Sequence, residues 1–229
     1  MGEKKRKEAS KKNWNKIIVV VVGVLFVVLM IVSAMGSSWI SSFAVTKPGD
    51  VVTLDYTLYD YSGNPIVTTD AQLFKDTVTK GGSMIYSKQL SITANQTYTD
   101  PVYPVDVYTV AGGWGNQFAF FSREYGAISS GIVGLKTKDR KMIALPAENS
   151  MTQFWSAEQL IRNNVNLTRI QVGDVLAMGV SNNPAESQND TASLSFRVAE
   201  ITGKTNAGAT VDFGYPRIDV SVAAINAKR

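Results

Sequence analysis

From Val52 to Tyr59 hydrophobic and polar positions alternate with period two. Val52, Leu54, Tyr56 and Leu58 share one side, and Thr53, Asp55, Thr57 and Tyr59 the other. Such alternation predicts a strand with one buried face. "YSGNP" then supplies Gly63 and Pro65 as turn residues and "IVTT" resumes a β-branched run, so Gly49–Asp70 is predicted to be a hairpin. From Ala71 to Gly115 the reading is less regular: "TDPVYPVDVYTVAGGWG" mixes prolines, tyrosines and glycines and reads as a long loop or β-arm. "FAFF" (Phe118–Phe121) reads as a buried strand. "GAISSGIVGL" reads as one short apolar helix ended by Gly134, and "MIALP", after the charged turn "KTKDRK", as another strand. Phe154–Asn164 is the next helix candidate. Three β-like runs follow, "RIQVGDVLAMGV", "SLSFRVAEITG" and "ATVDF", the second with Leu194, Phe196 and Val198 alternating. "RIDVSVAAI" closes the pattern with Ile218, Val220 and Val222 on one face. The elements sum to a β-rich α+β domain with few helices.

Near the N-terminus the pattern changes character. Ile17–Met35 is nineteen residues without a charge, which at about 1.5 Å per residue nearly crosses a hydrocarbon core of about 30 Å. Seven of the first sixteen residues are basic and two are acidic, and Trp14 and Trp39 flank the apolar run. This predicts a single-pass anchor in the lipid bilayer, with a cytoplasmic N-terminus and an extracytoplasmic C-terminal domain. A cleaved signal peptide is the competing reading, although the run is longer than an ordinary signal core. Residues 36–45 read as a short polar spacer. The triplets beginning at Asn95, Asn166 and Asn189 match the glycosylation sequon, and ordinary polar loop residues would look the same.

Charge and composition narrow the chemistry. Outside the first sixteen residues the chain has 16 basic and 17 acidic residues, so the overall +4 belongs to the tail and gives no support to nucleic-acid binding. The chain contains no cysteine and no histidine. That excludes disulfides, thiol nucleophiles, Cys/His metal sites and His-dependent triads, and no metal or cofactor is expected. No internal repeat is visible, and "GGWGN" lacks the lysine and following helix of a phosphate-binding loop.

The order of segments resembles the FKBP-type peptidyl-prolyl isomerases, in particular their SlyD-like branch. "GDVVTLDYTLYDYSGNPIV" is similar to that family's opening strand, "AISSGIVGLKTKDRKMIALPAENS" to its helix, turn and strand, and "RIDVSVAAI" to its closing strand. "NLTRIQVGDVLAM" through "FRVAEITGKTNAGATVDF" is similar to its insert-in-flap domain. The resemblance spans about Thr46–Asp70 and Phe118–Ile225 and leaves 71–117 without a counterpart. It implies an antiparallel twisted β-sheet around a short helix with an inserted small β-rich domain, here preceded by a transmembrane helix. The implied layout is a tail (1–16), an anchor (17–35), the spacer (36–45), a core (46–152 and 209–229, with the 71–117 insertion) and an inserted domain (153–208).

The family binds X-Pro segments in an apolar cleft and speeds their cis/trans rotation. That barrier of about 18–20 kcal/mol is amide resonance, which needs no nucleophile. Matched by position, the implied peptide pocket comprises Tyr56, Ile66, Val67, Ile128, Met151 and Ile218, with Phe118 and Phe120 as aromatic walls. The family's pocket carboxylate falls on Val67, and two of its aromatics fall on Met151 and Ile218, so the pocket is depleted. All of these side chains would serve equally as sheet core. The expectation is an isomerase or chaperone that binds proline-containing or unfolded polypeptide clients. The alternative is a non-catalytic interaction subunit of a cell-envelope complex, with Tyr86, Tyr98, Tyr103, Tyr108 and Trp114 of the insertion as its contact arm.

Overall fold

The computed structural model describes residues 19–31, 33, 44–109, 113–146, 151–180 and 195–226, which fall into two compact units, 1–44 and 45–229. In the first unit residues 19–31 are helical. At ~1.5 Å per residue that stretch is about 20 Å long, short of the roughly 30 Å of a hydrocarbon core. Among the described residues no helix is long and apolar enough to cross a membrane. The expected single-pass anchor over 17–35 is therefore not supported, nor is the extracytoplasmic placement that depended on it. Residues 1–18, 32 and 34–43, which carry the expected tail, most of the spacer and parts of the expected span, lie outside the described residues.

The second unit is dominated by one mixed sheet of twelve strands, ordered β7-β12-β1-β2-β3-β5-β6-β10-β11-β8, with β7 spanning Arg140–Ala144, β4 paired to β1 and β9 to β10. Within it β1 (Val51–Tyr59) is flanked by β12 (Arg217–Asn226) and β2 (Pro65–Thr68). The predicted period of two is present: Val52, Leu54, Tyr56 and Leu58 are buried. The β1–β2 turn closes because Asp60 Oδ1 accepts the Asn64 N–H at 2.7 Å and Gly63 adopts φ +84°, a region open to glycine.

The expected fold, an antiparallel sheet around one helix with a separate small β-rich insert, does not hold. Residues 71–117, read as loop or β-arm, form α1 (Ala71–Thr79), β3 (Ile85–Ser87), β4 (Leu90–Thr93), β5 (Val102–Thr109) and β6 (Gly113–Phe121). Asp70 starts α1 by accepting the Gln72 and Leu73 N–H groups. The helix is the crossover that allows β3 to lie parallel to β2. Strands β3, β5 and β6 then sit inside the sheet. A second parallel pairing, Phe118 with Phe196, joins β6 to β10 (Ser195–Thr205). The segment expected as an independent insert thus continues the same sheet through β9 (Val175–Val180), β10, β11 (Gly208–Asp212) and β8 (Thr152–Ser156).

Two further helices depart from their predicted bounds. α2 spans Ser122–Gly131, starting earlier than "GAISSGIVGL", because Glu124 accepts the Phe121 N–H and fixes the first turn there. α3 spans only Ala157–Arg162. Residues 154–156 of the predicted helix belong to β8 and pair with β11, and Ser156 caps α3 through reciprocal bonds with Gln159. Two hydrophobic clusters fill the unit. One lies between β1, β12, β5, β6 and α2, and the other between β8, α3, β10 and β11.

Candidate functional site

Most of the side chains that the sequence nominated for a pocket are brought together, but as packed interior. Tyr56, Val67, Phe118, Phe120, Ile128 and Ile218 all belong to the first cluster, each at most 2 % exposed. The Tyr56 hydroxyl donates to Ser87 Oγ, which donates to the Lys88 carbonyl, so its polar end is consumed inside the protein. Burial pushes the Tyr56 phenol well above the ordinary tyrosine range. Its ring meets Phe120 edge-on at 5.6 Å, and Phe120 meets Phe118 at 5.4 Å. Met151 is buried in the other cluster, away from this group. Ile66 is half-buried and lines a depression that opens to solvent, and the buried Tyr56 borders another. Of the sequon residues, Asn95 and Asn166 are exposed; Asn189 lies outside the described residues.

A buried ionic centre, unforeseen from the sequence, lies where the two clusters meet. Arg197 on β10 is fully buried, and so is its partner Glu124 on α2. The Arg197 Nη1 and Nη2 groups donate to the two carboxylate oxygens of Glu124. Nη1 also donates to the Ala119 carbonyl at 2.7 Å, while Nε and Nη2 donate to the Phe213 carbonyl at 2.8 and 2.7 Å. A guanidinium has five N–H donors, and this one has five acceptor contacts. The rings of Tyr215 and Phe121 lie against it, with the guanidinium carbon 4.4 and 4.5 Å from their centroids. Sequence reading missed Arg197 because Leu194, Phe196 and Val198 suggested the inward phase of β10. The fully buried set is instead Ser195, Arg197, Ala199 and Ile201. The continuation of that odd phase into Ala199 and Ile201 was the available signal.

Among the described residues, two depressions that open on the surface bear on function. The first lies on the outer face of the sheet and has a volume of about 350 Å³, within the range of small-ligand pockets. Asp55, Thr57, Asp70, Arg140, Asp219 and Ser221 contribute to its walls. Among its described charged groups Arg140 and Asp219 pair with each other at 3.0 Å, while Asp55 and Asp70 accept neutral donors: Gln89 donates to Asp55 at 2.9 Å, and Asp70 caps α1.

The second is a shallow cleft of about 30 Å³, room for one or two waters. An occupant would lie across it rather than insert. Ile66, Val175, Val198 and Tyr215 form its apolar wall. Tyr61 and Val175 at its lip are 53 % and 59 % exposed. The Tyr215 hydroxyl donates to the Val198 carbonyl at 2.7 Å, which ties the wall to β10. Asp60, Glu200 and Asp212 complete the rim.

No described group couples a nucleophile to a base, and among the described residues no cluster of three or more His, Cys, Asp or Glu side chains could hold a metal ion. No family model matches the chain, and no curated protein is similar to it.

Proposed function

We propose that this protein binds segments of other polypeptides, without chemistry, across the cleft walled by Ile66, Val175, Val198 and Tyr215. One observation carries the reading: that apolar wall faces solvent and ends in two large, more than half-exposed side chains, Tyr61 and Val175. Exposed apolar surface rimmed by polar groups suits a partner that covers it. A polypeptide laid across the wall would cover Tyr61 and Val175 while its own backbone stayed hydrated. Binding is favoured over prolyl isomerisation because the Tyr56 hydroxyl, the polar group an isomerase pocket would retain, is committed to Ser87. Val67, Phe118, Phe120, Ile128 and Ile218 are equally withdrawn from solvent.

Because the chain has no native cysteine, one placed at Val175 can carry an environment-sensitive fluorophore without competing sites. Adding a reduced, carboxymethylated unfolded polypeptide to the labelled full-length chain should blue-shift and brighten the emission. The same preparation should leave the isomerisation rate of an X-Pro peptide unchanged. An unresponsive probe would overturn the binding reading, and efficient isomerisation would overturn its non-catalytic part.

A further inference from the structure

Three acids from three separate stretches converge on the apolar cleft: Asp60 in the β1–β2 turn, Glu200 on β10 and Asp212 at the end of β11. All three are half-buried. The described ion pairs join Lys88 to Asp106, Arg140 to Asp219 and Arg197 to Glu124, and none of them uses these carboxylates. Asp60 accepts from Asn64, and Asp212 accepts the Gly214 N–H. These are neutral donors and leave the negative charge uncompensated. The guanidinium against Tyr215 is spent on Glu124. Arg217 is stacked over Tyr59 and lies against Gly63 of the same turn, and it forms none of the described ion pairs. Like charges beside a low-dielectric wall reinforce one another's field over the cleft.

We infer that the segment this cleft accepts is cationic on both sides of an apolar residue: an aliphatic or aromatic side chain flanked by lysine or arginine. This rests on the polypeptide-binding reading above and specifies its partner. The apolar residue lies on Ile66, Val175 and Val198, and the flanking cations reach the carboxylates of Glu200, Asp212 and Asp60. The cleft's shallowness suits this arrangement, because a long basic side chain covers apolar surface with its methylenes while its charged end stays hydrated. An acidic segment would bring like charges together without relief.

The test uses three fluorescein-labelled octapeptides that share a central Leu-Phe pair and carry four flanking lysines, four glutamines or four glutamates. Anisotropy titration with the full-length chain at low salt should rank lysine over glutamine over glutamate, with at least tenfold between the extremes. Raising the salt should weaken only the lysine peptide. Glu200→Gln, which removes a charge but keeps the shape, should weaken the lysine peptide roughly threefold to fivefold and leave the glutamine peptide unchanged. Circular dichroism would verify that this variant is folded. Asp55→Asn, in the other depression, should alter neither.

Equal affinity for all three peptides, or an equal loss for all three in Glu200→Gln, would overturn the charge selection while leaving polypeptide binding in place. An effect of Asp55→Asn matching that of Glu200→Gln would move the cation to the other depression and also overturn the inference. Failure of every peptide to bind would remove the polypeptide-binding reading itself.

Discussion

The buried Arg197–Glu124 pair yields the sharpest quantitative test. Removing one partner of such a pair leaves an uncompensated charge in the interior and costs about 3–5 kcal/mol. Glu124→Gln keeps the side-chain shape but turns an amide N–H₂ toward guanidinium donors, and it replaces the carboxylate that accepts the Phe121 N–H. Arg197→Met removes the charge but also orphans the Ala119 and Phe213 carbonyls, each worth about 1–3 kcal/mol when buried without a donor. It should therefore cost at least as much as Glu124→Gln. The double replacement Glu124→Gln with Arg197→Met leaves the carbonyls orphaned but no buried charge. It should lose less than the sum of the single losses, with a coupling of about 2 kcal/mol or more. Domains are typically stable by only about 5–15 kcal/mol, so each loss is a large displacement of a urea midpoint. Equilibrium urea unfolding of the three variants, followed by tryptophan emission, measures it. A Glu124→Gln variant within about 0.5 kcal/mol of the parent would refute the claim that Glu124 neutralises Arg197, because ordinary surface changes fall in that range.

Other outcomes follow from the buried side chains of the first cluster. Val67→Asp, which would restore the carboxylate implied by the family resemblance, places a charge at a position with no solvent exposure. It should lower stability by several kcal/mol, on the order of the largest single-substitution effects, and should create no isomerase activity; a stable, active variant in thermal and X-Pro assays would contradict that. Burial raises the phenol pKa values of Tyr56, Tyr125 and Tyr215 in the folded state above the unfolded value of about 10. Their contribution is therefore complete below about pH 10 and is lost as pH rises past it, because the unfolded chain releases those protons first. Absorbance at the tyrosinate band should show these three tyrosines ionising only together with unfolding, and reversible early titration of all nine would contradict it.

The sequence made the centre of the sheet readable. In β1 and β12 one face is buried and the other wet, so period two appears directly in the residues. α1 was hidden because it is short and its inward stripe is only the half-buried Leu73, Phe74 and Thr77. Asp70, a good N-cap residue, was its one local mark. In β10 the outward face is half-buried and carries the apolar Phe196 and Val198, so polarity carried little phase information, and a charged residue occupied the inward side. The same ambiguity affected the site. Tyr56, Phe118, Phe120 and Ile218 have the composition of an apolar cleft, but a cleft wall and a sheet core draw on the same side chains. What separates them is whether another layer covers them. Strands from the irregular 71–117 stretch supply much of that layer, with Ser87 meeting the Tyr56 hydroxyl. The rim acids Asp60, Glu200 and Asp212 are far apart along the chain, so their convergence belongs to the topology.

The pairing of β1 with β12 also bears on how the chain is made. Tyr59 lies opposite Arg217 and Val51 opposite Asn226, so β1 meets its longest partner only after about 165 further residues have been synthesised. At ~5–20 residues per second that is an interval of about 10–30 s on the ribosome. Throughout it Val52, Leu54, Tyr56 and Leu58 have emerged with one flank unpaired, an apolar strand edge of the kind that recruits other chains. β2 and β4 can close the opposite flank early, since both follow within a few dozen residues. The β12 side must stay open until β12 is made, so a nascent chain of this protein is most exposed to aggregation just before that strand arrives.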